Sequence, residues 1–302
     1  MNRQPFSIIK RKWTKNLTPW VFLLPSILIL GIFLVIPIVE AFRWSFLDYK
    51  IIADTSDFVG LANFREIFSD EIFWKALGNT ILYVVIVLPL NILLPLFLAV
   101  LVNQKIRAVG AFRVLYYLPV ITPIVVGALM WKMLYSQEGA ISNILVSLGI
   151  LDESMNFLTN SSTAIVAVAF ITVWKGLGYY MVMYLANLQS ISSQLYESAS
   201  IDGANVFHKF TKITMPMMVP SMTLVSVLTI INGLKVFEEI ALTTNGGPAG
   251  ATTTLVMYIY DKFIDLDVSI ASAAGLVLLV LAIVGSLLQM KLSSKREDDL
   301  KA

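Results

Sequence analysis

The chain has 302 residues, 57% of them hydrophobic and 14% charged, with a mean hydropathy of +0.79, which excludes a soluble globular domain of this length and points to a polytopic membrane protein. A formal net charge of +2 argues for no nucleic-acid partner; the placement of the basic residues carries the information. With no cysteine and one histidine, His208, there is no disulfide, no thiolate metal site and no imidazole cluster.

Met1 to Lys15 carries five basic residues and no acid, and reads as a retained cytoplasmic tail: the apolar run behind it is too long for a signal peptide and lacks a small-residue cleavage site. The 24 residues from Asn16 to Val39 are free of charge, enough to cross ~30 Å of hydrocarbon as a helix. Arg43 to Lys75 is polar and acidic, with Trp44, Tyr49 and Trp74 suited to the membrane interface. A second span is expected at about Thr80 to Val102, followed by a basic turn with Lys105, Arg107 and Arg113. The third, about Phe112 to Tyr135, should be kinked by Pro119 and Pro123. Ser136 to Ser162 has no Lys or Arg. A fourth span follows at about Thr163 to Leu188, a fifth at about Met217 to Ile240 and a sixth at about Val268 to Met290, with turn chemistry in TTNGGPAGATTT between the last two.

Between the fourth and fifth spans, Gln189 to Met218 is a polar island whose residues repeat at helical spacing. Ser193 can cap a first short helix that stops at Asp202-Gly203, and a second should run through Val206, Phe207 and Phe210 to Ile213, ending before Pro216. Glu197, Ser198, Ala199, Gly203, Ile213, Met215 and Pro216 resemble the Glu-Ala-Ala, Gly, Ile-x-Leu-Pro loop of membrane subunits of bacterial binding-protein-dependent ABC importers, with Ser198 and Met215 as departures. Gly60, Leu61, Asn63 and Phe64 before the second span resemble the Gly-Leu-x-Asn-Phe box of the carbohydrate-uptake branch, the maltose and multiple-sugar permeases. Thr244, Gly246, Gly247, Pro248, Tyr258 and Tyr260 are similar to its Thr-x-Gly-Gly-Pro box.

The resemblance implies an all-α polytopic membrane protein of six transmembrane helices with the type I ABC importer permease fold. It divides the chain into a cytoplasmic tail (1–18), a first helix with its external loop (19–75), a transporter domain (76–290) containing a coupling loop (189–216), and a cytoplasmic tail (291–302). It also implies a second homologous permease, two ATPase subunits, an extracytoplasmic solute-binding protein and a sugar substrate, with ATPase-coupling roles for Glu197, Ala199, Asp202, Gly203, Ala204, Ile213 and Pro216. No Gly-x-x-x-x-Gly-Lys-Ser/Thr loop occurs in the chain. No cofactor is therefore expected here, ATP binding being left to the partner ATPase. Placing the tails, the basic turn and the elbow on one side assigns it 14 Lys and Arg against 5, which makes that side the cytoplasm.

Lys175 falls half-way along the fourth span, where a bare ammonium costs ~2.5–3.5 kcal/mol on insertion scales, so it should meet water or a partner. Thr172, Lys175, Gly176 and Tyr179 share one helical face, flanked by Trp174 and Tyr180. Aromatic rings beside a few polar groups suit a sugar. In the permeases that this chain resembles, this segment and the middle of the fifth span line the solute path, implying Thr172, Trp174, Gly176 and Tyr179, with Lys175 on their face, together with Asn232 and Gly233. Small and polar residues also serve as glue between spans, and a lysine can snorkel. Lys235 and Glu238, i and i+3, read as an interfacial ion pair. Other readings stay open: an importer of a polyol, a glycerol phosphate or a charged sugar, and an ion-coupled transporter. The last calls for mid-span carboxylates, whereas Glu40, Glu238 and Glu239 fall at span ends.

Overall fold

The computed structural model describes residues 19–103 and 109–301. The basic N-terminal tail, Lys105 and Arg107 lie outside the described residues. Helix α1 (Pro19–Trp44) contains a π turn at Gly31–Val35 and leads into a hairpin of β1 (Leu47–Lys50) and β2 (Thr55–Phe58), paired antiparallel with Leu47 opposite Phe58. Then follow α2 (Ala62–Ser69), α3 (Glu71–Val102), α4 (Val109–Ile121), α5 (Ile124–Leu134) and α6 (Ala140–Ser147). The remaining helices are α7 (Ala164–Ser190), α8 (Ser193–Ile201), α9 (Val206–Leu234), α10 (Glu238–Thr243), α11 (Leu255–Ile264) and α12 (Val268–Lys301).

Five of these, α1, α3, α7, α9 and α12, are long and apolar enough to cross a membrane. The sixth span is the pair α4 and α5, broken by 99°. The kink expected at Pro119 and Pro123 is thus a right-angled break. Pro123 lacks an N–H and disfavours helical backbone at Thr122, and it sits in extended conformation at ψ 136°. Thr122 closes the end of α4 by donating its N–H to the Pro119 carbonyl and its hydroxyl to that of Leu118.

The fifth span also departs from expectation. Its helix begins at Val206, runs through Pro216 without stopping, and ends at Leu234 instead of Ile240. A π turn over Phe210–Thr214, with the Met215 N–H reaching the Phe210 carbonyl, widens the coil just where the Pro216 ring would meet the carbonyl four residues back. Lys235 and Glu238 therefore lie on either side of a helix break, and no ion pair joins them among the described residues.

Packing centres on α3 and α7, with α9 against α3 and α12. One apolar cluster joins Tyr83 and Val87 of α3 to Ile171 of α7 and Ile240 of α10, while a second joins Leu96 to Tyr184, Leu188 and Met218 towards the α8 end. A third packs Ile67 and Phe73 on Leu255, Tyr258 and Ile270. Polar ties hold the loops: Asn63 donates to the carbonyls of Ser45 and Leu47, and Asp70 caps α3 while accepting from the Tyr258 hydroxyl at 2.8 Å. Burial, then this bond to Asp70, push the Tyr258 phenol above its ordinary range. Gly178 lets α4 cross α7 closely, since a Cβ there would stand 2.1 Å from the Tyr116 carbonyl oxygen. By contrast no residue in the apolar stretch of α1 is fully buried within the chain, leaving most of its surface to lipid or to another subunit.

Candidate functional site

Two features converge on α7 and α9. Between the first two apolar clusters lies a cavity of about 280 Å³, a little below the ~300–1,000 Å³ usual for ligand pockets. Of the residues expected on the solute path, Thr172, Lys175, Gly176 and Tyr179 from α7 and Asn232 and Gly233 from α9 line it. Trp174 does not. Its ring stands edge-on to Trp131 at 5.8 Å and passes 3.5 Å from where a Cβ of Gly127 would be, so it fastens α7 to α5. The two cavity glycines also serve close packing: a Cβ at Gly176 would come within 3.2 Å of Asn91 Oδ1, and one at Gly233 within 3.0 Å of Val84.

Four further polar or aromatic residues, Asn91, Tyr180, Thr229 and Glu239, share the lining with Val87 and Val120. Asn91 is 2% exposed and Thr229 1%, and Asn91 Oδ1 and Thr229 Oγ1 have no hydrogen-bond partner among the described residues. Buried polar atoms are ordinarily paired, so both await a partner. Sequence reasoning passed over Asn91, a single polar residue in the run VLPLNILLPL. It also left Glu239 at a span end. The early end of α9 and the turn into α10 bring that residue back to the cavity, which Thr172, hydrogen-bonded to Tyr83, also lines.

The elbow follows α7 directly. Ser192, one residue before the expected cap, accepts from the Gln194 N–H at 3.3 Å. Helix α8 ends in a Schellman turn: the N–H of Gly203 donates to the Ser200 carbonyl, that of Ala204 to the Ala199 carbonyl, and Gly203 has φ +80°. Asn205 then caps α9 through the His208 N–H at 2.8 Å. Lys209 Nζ meets Ser200 Oγ at 2.7 Å and Tyr196 meets Thr214 at 2.9 Å, bracing the two arms. Of the residues expected to couple, Glu197, Asp202 and Gly203 are exposed, Ala199 and Ala204 build the turn, and Ile213 packs against the second apolar cluster, three residues before Pro216. Around the turn, Ile201, Val206 and Phe207 stand 87%, 85% and 72% exposed. So much bare apolar surface on a braced polar loop marks a contact site.

Residues 91–297 match the family described as binding-protein-dependent transport system inner membrane component. The lactose transport system permease protein LacF of Rhizobium radiobacter is 32% identical over 96% of this chain and 98% of its own length. The sn-glycerol-3-phosphate transport system permease protein UgpA of Yersinia pestis is 32% identical over 92% and 94%. The crystal structure of a bacterial alginate ABC transporter, in complex with an alginate pentasaccharide-bound periplasmic protein, superposes with a TM-score of 0.82 at 29% identity, covering 98% of this chain and 99% of that one. With its spans, its braced elbow and its cavity, the chain belongs to the family of inner-membrane components of binding-protein-dependent transport systems.

Proposed function

We propose that this chain is one half of the membrane pathway of an ATP-driven importer that takes up a sugar, most naturally a di- or oligosaccharide, handed over by an extracytoplasmic binding protein. The observation that carries the reading is connectivity: α7 and α9, which supply most of the cavity lining, are the two helices that enter and leave the elbow. A displacement of the elbow is thereby a displacement of the cavity walls. A second, homologous permease supplies the facing wall, and two ATPase subunits hold the nucleotide and grip Ile201, Val206 and Phe207. ATP binding closes the ATPase pair, draws the elbows together and opens the cavity outward; this chain itself performs no covalent chemistry and binds no cofactor. Its orientation follows from the basic residues, with both termini and the elbow in the cytoplasm. LacF, named for lactose, supports the sugar reading, and UgpA, named for glycerol phosphate, keeps solute charge in question.

The test is reconstitution of the complex in liposomes with a panel of radiolabelled sugars. Uptake that requires ATP and binding protein is expected. Uptake driven by an ion gradient without ATP overturns the reading. Labels after Ala302 and in the elbow should report cytoplasm and one at Gly139 the exterior; a C-terminal tag reached from outside intact cells overturns the orientation.

A further inference from the structure

Two charged residues line the cavity, Lys175 and Glu239. They do not neutralise each other by contact, because no ion pair within 4.0 Å joins them among the described residues. Thr172, on the same lining, turns its hydroxyl to Tyr83. The same lining carries Asn91 Oδ1 and Thr229 Oγ1, both buried and unpartnered among the described residues, and the half-exposed ring of Tyr179. A site with one ammonium, one separate carboxylate and orphaned neutral polar atoms is satisfied by a ligand that carries many hydroxyls, each able to donate to one group and accept from another. It is poorly satisfied by an anion. A carboxylate or phosphate drawn to Lys175 brings its own charge towards Glu239 within a region of low dielectric, where like charges repel strongly.

We propose that Glu239 is a specificity-determining residue: set apart from Lys175 in the same cavity, it holds the site's charge at zero, admitting polyhydroxy solutes without net charge and rejecting those bearing carboxylate or phosphate. The proposal rests on the sugar reading above and narrows it to neutral carbohydrates. Its consequence is that Lys175 alone does not mark an acid-sugar or phosphate importer. Selection of this kind works by repelling the wrong solute as much as by holding the right one.

The experiment uses the complex of both permeases and both ATPases in nanodiscs, without binding protein, so that only the membrane cavity discriminates. Equilibrium dialysis would measure binding of radiolabelled lactose and maltotriose against digalacturonate and trigalacturonate. The intact protein should favour the neutral sugars, and Glu239→Gln, which keeps the size and shape of the side chain, should raise the acid-to-neutral affinity ratio at least tenfold. As a second variant, Lys175→Gln reverses the imbalance and should raise affinity for a cationic glucosamine trimer, relative to maltotriose, by a similar factor. An unchanged ratio in either assembled variant overturns the charge proposal while leaving the sugar reading intact. So does an intact protein that prefers the galacturonates. Binding of none of these sugars overturns the sugar reading, and the proposal falls with it.

Discussion

Gly203 in the elbow and Gly178 beside the cavity stand on opposite sides of the end of α7, and the chain needs glycine at each for a different reason. Nothing among the described residues lies within 4 Å of the place where a Cβ of Gly203 would stand; its constraint is the backbone, held at φ +80° by the Schellman turn. Gly178 has ordinary helical backbone, and its constraint is the neighbouring helix, whose Tyr116 carbonyl oxygen occupies the space of a methyl group. The elbow is thus shaped by local chemistry that a few adjacent residues carry, and the cavity by surfaces that meet from distant parts of the chain. Local rules read out from sequence. Surfaces that meet across the bundle do not.

The sharpest test of this contrast is Gly178→Ala. The added methyl has to push α4 off α7, and overpacking of this kind costs ~1–3 kcal/mol or more. We expect a large fall in the Tm of the purified protein and loss of most assembled complex; an unchanged Tm would show that the α4 crossing yields easily. Next is Gly203→Val, where strain is about 1–2 kcal/mol and falls outside the spans. The complex should still assemble with both permeases, but solute-stimulated ATP hydrolysis should drop roughly tenfold, since 1.4 kcal/mol is a factor of ten. Normal stimulated hydrolysis with normal uptake would remove the elbow from coupling. Glu197→Lys should act in the same direction and less strongly.

Smaller effects separate the lining from its support. Removing an unpaired buried hydroxyl in favour of a methyl of the same shape is nearly neutral for folding, so Thr229→Val should leave Tm within a few degrees while raising the KM for uptake several-fold. A raised Tm with unaltered KM would make Thr229 a packing residue alone. The smallest expected effects pair Trp174→Leu with Tyr179→Leu. Trp174 holds Trp131 edge-on, and such ring pairs contribute ~0.5–1.5 kcal/mol beyond burial. Its replacement should lower Tm and spare KM, whereas Tyr179→Leu should raise KM and spare Tm. The reverse pattern would return Trp174 to the solute path.

Much of this was legible in the residues. Long apolar runs indicated six spans, five of which the structure has as single long helices and one as a bent pair, and Asp202-Gly203 announced a stop, which falls at a positive φ. The clustering of Thr172, Lys175, Gly176 and Tyr179 followed from helical spacing alone. What escaped had a common cause. Val236, Ile240 and Ala241 prolong the apolar run of the fifth span, so periodicity could not show that α9 ends at Leu234 and that Glu239 turns back into the bundle. Asn91 has no polar neighbour at helical spacing to declare which way it faces. Pro216 looked like a stop, because the rule that proline ends a helix does not foresee a π turn laid down just before it.

That turn has a consequence of phase. One surplus residue in a helix offsets everything before it by about 100° relative to everything after it, the angle between successive residues. The azimuth of Val206 and Phe207 with respect to Asn232 and Gly233 is therefore set by the coil at Phe210–Thr214, well away from both. Tightening that turn to regular α-helix with every residue kept would leave the composition of the elbow and of the cavity intact. It would nevertheless swing the exposed tip through roughly a quarter-turn about the helix axis, so that a partner pressing on it would deliver its push along a different bearing.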